Sequence, residues 1–175
     1  MIQIQGVQGS TPLQKVKLDA IDLRILRDLQ DDGRITNVDL AARAGISAPP
    51  CLRRVRALEE AGFIHGYHAE VDGGLMGYKE MFFALVGLDS QSQTVLKEFE
   101  DLMAGWPEVR ECHMIRGTDD FLLKVVARDK EHRDELTMGI TSATHVTTVT
   151  TLETIRTSKN QPGVPIDPDA EVDEE

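Results

Sequence analysis

Three arginines, Arg53, Arg54 and Arg56, crowd one short segment, PPCLRRVRALEE, that opens on two prolines. Guanidinium groups set so closely suit phosphate oxygens, and each planar fork can also bond O6 and N7 of a guanine together. On a helix, at roughly 100° per residue, Leu52, Val55 and Leu58 cluster on one side, Arg53 lies nearly opposite, and Arg54 and Arg56 take the two flanks. A solvated face is the competing reading, with the arginines pairing to Glu59 and Glu60 or Arg54 held by a neighbouring acid. Ser47, Ala48 and Pro49 stand at the N-terminal end of this helix, the end of a recognition helix that reaches base edges. Ser47 is also a natural N-cap, and Pro49 and Pro50 fall in the first turn, where a missing N–H costs little. Thr36 and Asn37 open the helix before it and can either donate to a phosphate or simply cap.

A second candidate constellation is the turn Gly117-Thr118-Asp119-Asp120 between two apolar runs, with Thr151 on the last β-branched segment. A plain hairpin with Gly at positive φ accounts for the turn, and β-propensity alone accounts for Thr151. Metal chemistry has little support. Cys112 and His113 are strand neighbours that point to opposite faces, and His65 and His68 sit in an extended stretch. No set of four ligands is present, so no metal and no cofactor are expected. Cys51, near the buried side of the arginine helix, reads as a small hydrophobe, and two cysteines make no disulfide framework.

The elements that position these residues follow from periodicity. Leu18, Ile21, Leu23, Ile25, Leu26 and Leu29 predict an amphipathic helix, started near Asp19 and stopped at Gly33. A second helix carries Val38, Leu40, Ala41 and Ala44 inward, Gly45 makes a tight turn, and the arginine helix runs from Ser47 to Gly62. Helix, turn and arginine-bearing helix form a helix-turn-helix. From His65 the pattern changes: HGYHAEVD alternates like a strand and Gly73, Gly74 and Gly77 mark a loop. Then come a strand at 81–89, a helix at 92–104, strands at 109–116 and 120–128, a helix at 130–142 and a strand in TTVTTLETIRT. The order βαββαβ is the ferredoxin-like arrangement, making the chain α+β. Both helices cover one sheet face, and a second copy of the sheet is the expected cover of the other.

Charge weighs against nucleic acid only in total. The net charge is −11, yet residues 1–66 hold 9 basic and 8 acidic side chains, residues 67–166 hold 10 and 16, and Asp167 onward holds 6 acids and no base. DNA meets the face presented to it rather than the sum. The first 17 residues read as a loose arm without a secretory h-region, and no apolar run suits a membrane helix. A reducing cytoplasm is expected. The acidic segment reads as solvated and disordered, with a regulatory tail that competes with DNA for the arginines as the alternative.

The stretches LDAIDLRILRDLQDDGRIT (18–36), DLAARAGIS (39–47), PCLRRVRALEEAGFIHGY (50–67) and VRECHMIRGTDDFLLKV (109–125) resemble the leucine-responsive regulatory protein (Lrp)/AsnC family of transcriptional regulators. The resemblance covers roughly residues 18 to 158. It implies a dimer that pairs its sheets, assembly into octamers or similar, and an amino-acid effector bound where C-terminal domains meet. It also implies that the loop at Gly117, Thr118, Asp119 and Asp120 lines the effector pocket, with Gly117 admitting a ligand to the backbone, Asp120 binding an α-ammonium group or a neighbouring chain, and Thr151 adding a hydroxyl. The family has Gly before the Val that opens the last strand, where this chain has His145.

The expected organisation is an arm (1–17), a winged helix-turn-helix domain (18–66), a connector strand and loop (67–79), a ferredoxin-like effector and oligomerisation domain (80–158) and an acidic tail (159–175). The expected function is sequence-specific binding of double-stranded DNA, modulated by an amino acid or related metabolite. The rival is a metabolite-sensing oligomerisation module that does not read DNA sequence. An enzyme is disfavoured, since no phosphate loop, nucleophile elbow or metal set is present.

Overall fold

A computed structural model describes residues 17–168; residues 1–16, which hold most of the expected arm, and residues 169–175 lie outside it. The chain forms two compact units, one comprising residues up to Ala69 together with those from Gln161 onward, the other Glu70–Asn160.

In the first unit α1 (Ala20–Asp31), α2 (Asn37–Ala44) and α3 (Ala48–Glu60) enclose a core of Ile25, Leu40, Ala41, Ala44, Cys51 and Leu58. The Asp19 carboxylate accepts from the N–H groups of Ile21 and Asp22, and the Asp22 side chain accepts from the Asp19 N–H, a reciprocal capping box. Thr36 caps α2 by accepting from Asp39 N–H. Gly45 holds φ 74°, a left-handed conformation that ends α2 and begins the turn to α3. Val38, expected in the core, is 67% exposed. It lies about 110° around α2 from the centre of the Leu40, Ala41 and Ala44 stripe, beyond the reach of a core built on a two-turn helix. Leu52, placed with the inward cluster, is also substantially exposed, leaving Cys51, Val55 and Leu58 to hold α3 down.

The alternation at 65–72 predicts a strand, but the segment joins no ladder among the described residues. Residues 159–175 are expected as a solvated tail; residues 161–168 instead belong to the first unit, where Gln30 hydrogen-bonds both backbone groups of Val164.

The second unit is a four-stranded sheet, β1 (Glu80–Leu88), β2 (Val109–Met114), β3 (Phe121–Ala127) and β4 (Val146–Glu153), with α4 (Gln93–Ala104) and α5 (Lys130–Thr141). Its order, β2-β3-β1-β4 with every neighbour antiparallel, is ferredoxin-like as expected. Strict alternation on β3 sends Phe121, Leu123, Val125 and Ala127 to the helices, where they meet Phe82, Ala84, Val86, Phe99, Met103 and Ile140. Phe99 and Phe121 pack with ring centroids 4.8 Å apart. The register puts Leu122 beside Leu85, Val126 beside Met81, and Phe83 between Lys124 and Leu152 on the opposite face. Among the described residues of this unit, α4 and α5 both pack on the other face and leave that half-exposed apolar surface without a helix. β4 ends at Glu153, earlier than the β-branched run predicts, and Ile155 beyond it is exposed.

Candidate nucleic-acid interface and ligand loop

The three arginines of α3 separate by role. Arg54 turns back across α1, its Nη1 lying 2.8 Å from Asp22 Oδ1 and 2.8 Å from Asp19 Oδ2. These partners raise the guanidinium's affinity for its proton, Asp22 foremost. Arg54 therefore stitches α3 to the start of α1, the structural alternative set out for it above. The side chains of Arg53 and Arg56 are exposed and have no hydrogen bond or ion pair among the described residues. Glu59, one of the acids expected to compete for them, instead accepts from the Tyr67 hydroxyl at 3.0 Å. Burial and this carboxylate push the Tyr67 phenol up to about 12.

Ser47 occupies the N-cap of α3 with extended backbone, yet its side chain makes no capping bond. The cause is covalent. An N-cap oxygen accepts from the N–H of the second or third helical residue, and here those are Pro49 and Pro50, which have none. The Ser47 hydroxyl, the Ala48 methyl and the Pro49 ring thus sit at the tip of α3 with the hydroxyl uncommitted to the helix. Thr36 and Asn37 are less available. The Thr36 hydroxyl donates to Asp39 Oδ2 at 2.6 Å while capping α2, and Asn37 Nδ2 donates to Ala48 O at 2.9 Å, tying the start of α2 to the start of α3. Cys51 is fully buried, and burial pushes its thiol up against the pull of Arg54.

In the second unit, the loop between β2 and β3 opens onto a cavity of about 580 Å3 lined by Gln91, Leu96, Met114, Ile115, Arg116, Gly117, Asp119 and Asp120. Asp120 is a working part of the fold. Its Oδ2 accepts from Leu88 N–H at 2.7 Å, its Oδ1 from Gln91 Nε2 at 2.9 Å, and its own N–H donates to Val86 O. The Leu88 N–H needs this acceptor because it points to the β3 side of β1, where the β1–β3 ladder ends at Val86 and Phe121. Asp119 accepts from the Thr118 hydroxyl at 2.9 Å. Thr151 is not brought to this loop. It lies on β4 opposite Ala84 of β1 and lines a separate cavity with Arg133, Thr137 and Met138. Thr147, which donates to Gly87 O at 3.0 Å, and Thr148, whose hydroxyl lies over Gly87, are β4 hydroxyls at the loop's end of the sheet. Arg116, Leu96 and Met114 were missed by sequence reasoning, although Arg116 directly precedes the glycine that marked the loop.

His145 adopts φ 69°, a left-handed conformation that favours glycine, the residue the resemblance implies here. Its Nδ1 lies 3.0 Å from Asp89 Oδ1, and its carbonyl accepts from Asp89 N–H, so side-chain and backbone contacts hold the strained residue. Cys112 faces the core through its pairing with Leu123 and its thiol is pushed up to about 11 by burial; His113 pairs with Leu122 on the other face. Among the described residues no three His, Cys, Asp or Glu side chains are grouped to hold a metal, and no helix is long and apolar enough to cross a membrane.

Comparison with known proteins agrees with both halves. Residues 18–65 match the family described as winged helix-turn-helix DNA-binding, and residues 81–164 match the Lrp/AsnC ligand binding domain. The leucine-responsive regulatory protein of Rhizobium meliloti (strain 1021) is 59% identical over 115 residues, 66% of this chain and 74% of that protein. The Bkd operon transcriptional regulator of Pseudomonas aeruginosa is 42% identical over 65% of this chain and 74% of its own length. Among solved structures, an AsnC family transcriptional regulator from Agrobacterium tumefaciens superposes with a TM-score of 0.81 at 30% identity, over 87% of this chain and all of that one. A transcriptional regulator from Neisseria meningitidis in complex with L-Met also gives 0.81, at 28% identity over 86% of this chain and 98% of that one. A DNA-binding helix-turn-helix joined to an effector-type ferredoxin-like domain, with this degree of identity, shows that the chain belongs to the Lrp/AsnC family of transcriptional regulators.

Proposed function

We propose that this regulator binds double-stranded DNA through α3, with Arg53 and Arg56 contacting the duplex and Ser47, Ala48 and Pro49 meeting base edges. The observation that carries this reading is the division of labour on α3: Arg54 is held inward by Asp19 and Asp22, while Arg53 and Arg56 are left without partners among the described residues. Phosphate contacts fix register and affinity, and the helix tip supplies sequence discrimination. Thr36 and Asn37 support that tip, and any phosphate contact they make is secondary to capping. The protein acts by binding rather than catalysis, in the cytoplasm.

The ligand is an amino acid held at the β2–β3 loop. Arg116 offers a cation for the α-carboxylate, Asp119 an anion for the ammonium, and Leu96, Met114 and Ile115 an apolar wall for the side chain. Gly117 and Thr118 let the ligand approach the backbone. A ligand shifts such a regulator only by favouring one of two states. The L-Met complex of the Neisseria relative supports this reading. The uncovered sheet face of Phe83, Leu85, Leu122 and Val126 pairs two copies as a dimer, and dimers assemble further into an octamer. Fluorescence anisotropy with a labelled promoter duplex and a thermal-shift panel of amino acids test the two halves: binding lost in Arg53→Ala with Arg56→Ala, and one stabilising amino acid, are the expected results. Undiminished DNA binding in the double variant contradicts the first half, and silence across the panel contradicts the second.

A further inference from the structure

The turn that opens β4 holds a residue its backbone does not favour. Val146 N–H returns to Ala143 O at 3.2 Å, and His145, third of the four turn residues, adopts φ 69°. Gly or Asn ordinarily fills such a place, so the imidazole is kept against a conformational cost. What the ring meets is two acids from two elements. Nδ1 lies 3.0 and 3.1 Å from the carboxylate oxygens of Asp89, just past β1, and Nε2 lies 3.9 Å from Glu98 Oε2 on α4. The His145 carbonyl also accepts from Asp89 N–H at 2.9 Å, so Asp89 is gripped by backbone and side chain alike.

Each acid stands two residues from the wall of the cavity at the β2–β3 loop. Asp89 leads to Gln91, and Glu98 follows Leu96; Gln91 and Leu96 both line that cavity, whereas His145 does not. Gln91 Nε2 donates to Asp120 Oδ1 at 2.9 Å, and Asp120 Oδ2 accepts from Leu88 N–H at 2.7 Å. The contacts therefore run in series from His145 through Asp89 and the short Ser90-Gln91 segment to Asp120 on the cavity rim. We propose that His145 is a positioning residue for the ligand cavity: by gripping Asp89, with Glu98 beside it, it fixes the β1–α4 turn so that Gln91 stays on Asp120. This rests on the ligand reading above. The ring acts by raising the fraction of molecules whose turn is set for binding. If its loss leaves about one-fifth of molecules in that state, apparent affinity falls about fivefold.

The test compares the unaltered full chain with His145→Gly, His145→Asn and Asp89→Ala. Three readings are taken: calorimetric titration with L-methionine as the probe, thermal melts without it, and hydrogen exchange at Leu88. Glycine relieves the backbone and removes the ring; asparagine suits the left-handed region and keeps an N–H for Asp89. His145→Gly and Asp89→Ala are expected to bind L-methionine about fivefold more weakly and to lose Leu88 protection by about the same factor. His145→Asn should recover both, and the melting point of His145→Gly should not fall. Unchanged affinity and protection in His145→Gly overturn the proposal. So does a melting point that falls in step with affinity in every variant, His145→Asn included, which leaves a structural role only. If no form binds L-methionine, that counts against the ligand reading, and Leu88 protection decides the positioning role by itself. Loss in His145→Gly with recovery in His145→Asn then supports it, and equal protection in all forms overturns it.

Discussion

Arg54 on α3 reaches Asp22 on α1 across 2.8 Å, and the same Nη1 lies 2.8 Å from Asp19, which caps α1. One guanidinium therefore joins the recognition helix to the N-terminal box of the helix that supports it. Asp22 is nearly buried, so removing Arg54 strands a carboxylate rather than merely deleting a surface pair. Arg54→Ala is expected to destabilise the helix-turn-helix unit by about 1–2 kcal/mol, lowering its thermal midpoint by roughly 5–10 °C. Arg53→Ala and Arg56→Ala should leave that midpoint within about 2 °C. Differential scanning calorimetry separates the cases, and equal midpoints for all three variants contradict the assignment.

The same junction sets an acid dependence. Burial opposes ionisation of Asp19, but the Asp22 backbone N–H and the Arg54 guanidinium outweigh it and hold the carboxyl below its ordinary value. A depressed carboxyl contributes stability that is present above its unfolded value of about 3.9 and lost as pH falls through the folded value. In the second unit Glu111 is held down likewise, by Lys124 first and His113 second. Both units should thus lose stability on acidification below about pH 4. The loss in the first unit should shrink in Arg54→Ala, as followed by pH-dependent thermal melts. An unchanged acid profile in that variant argues against the junction.

Ser47 and Thr36 occupy equivalent N-cap positions with different duties. Thr36 accepts from Asp39 N–H, whereas Ser47 faces two prolines with nothing to donate. Thr36→Ala should cost about 1 kcal/mol of stability, and Ser47→Ala almost none. If Ser47 serves DNA, its loss appears as relaxed discrimination between cognate and scrambled duplexes, with stability intact. A Ser47→Ala variant that melts early, yet discriminates normally, reverses the assignment.

At the proposed ligand loop the two neighbouring aspartates should behave oppositely. Asp120→Ala leaves Leu88 N–H and Gln91 without their acceptor and should destabilise the second unit with or without ligand. Asp119→Ala and Arg116→Ala should preserve the ligand-free melting point and abolish the shift produced by the stabilising amino acid. A retained shift in both contradicts the proposed orientation of the ligand.

Local chemistry was legible in the sequence wherever neighbours along the chain determine it. Asp19 as a cap, Gly45 as the turn, the prolines opening α3 and the βαββαβ order all follow from short-range rules. What depended on crossing angles was not legible. Nothing in the spacing selects Asp22 as the partner of Arg54, and Val38 matches a core stripe until a two-turn helix is seen to bury only Leu40, Ala41 and Ala44. Thr151 and Thr148 look alike in a run of threonines; only the register with β1, which sets Thr148 opposite Gly87 and Thr151 opposite Ala84, puts one near the loop and the other elsewhere. The docking of residues 161–168 onto the first unit escaped because Val164 and Ile166 carry no period that a short segment could reveal.

The central claim, that α3 meets the phosphate backbone through the two outward arginines, is tested most directly by the salt dependence of DNA affinity. The logarithm of the binding constant should fall linearly with the logarithm of salt concentration, and Arg53→Ala and Arg56→Ala should each reduce the slope by about one while the melting point holds. A slope identical in the unaltered chain and the double variant would place the DNA contact elsewhere and contradict the account.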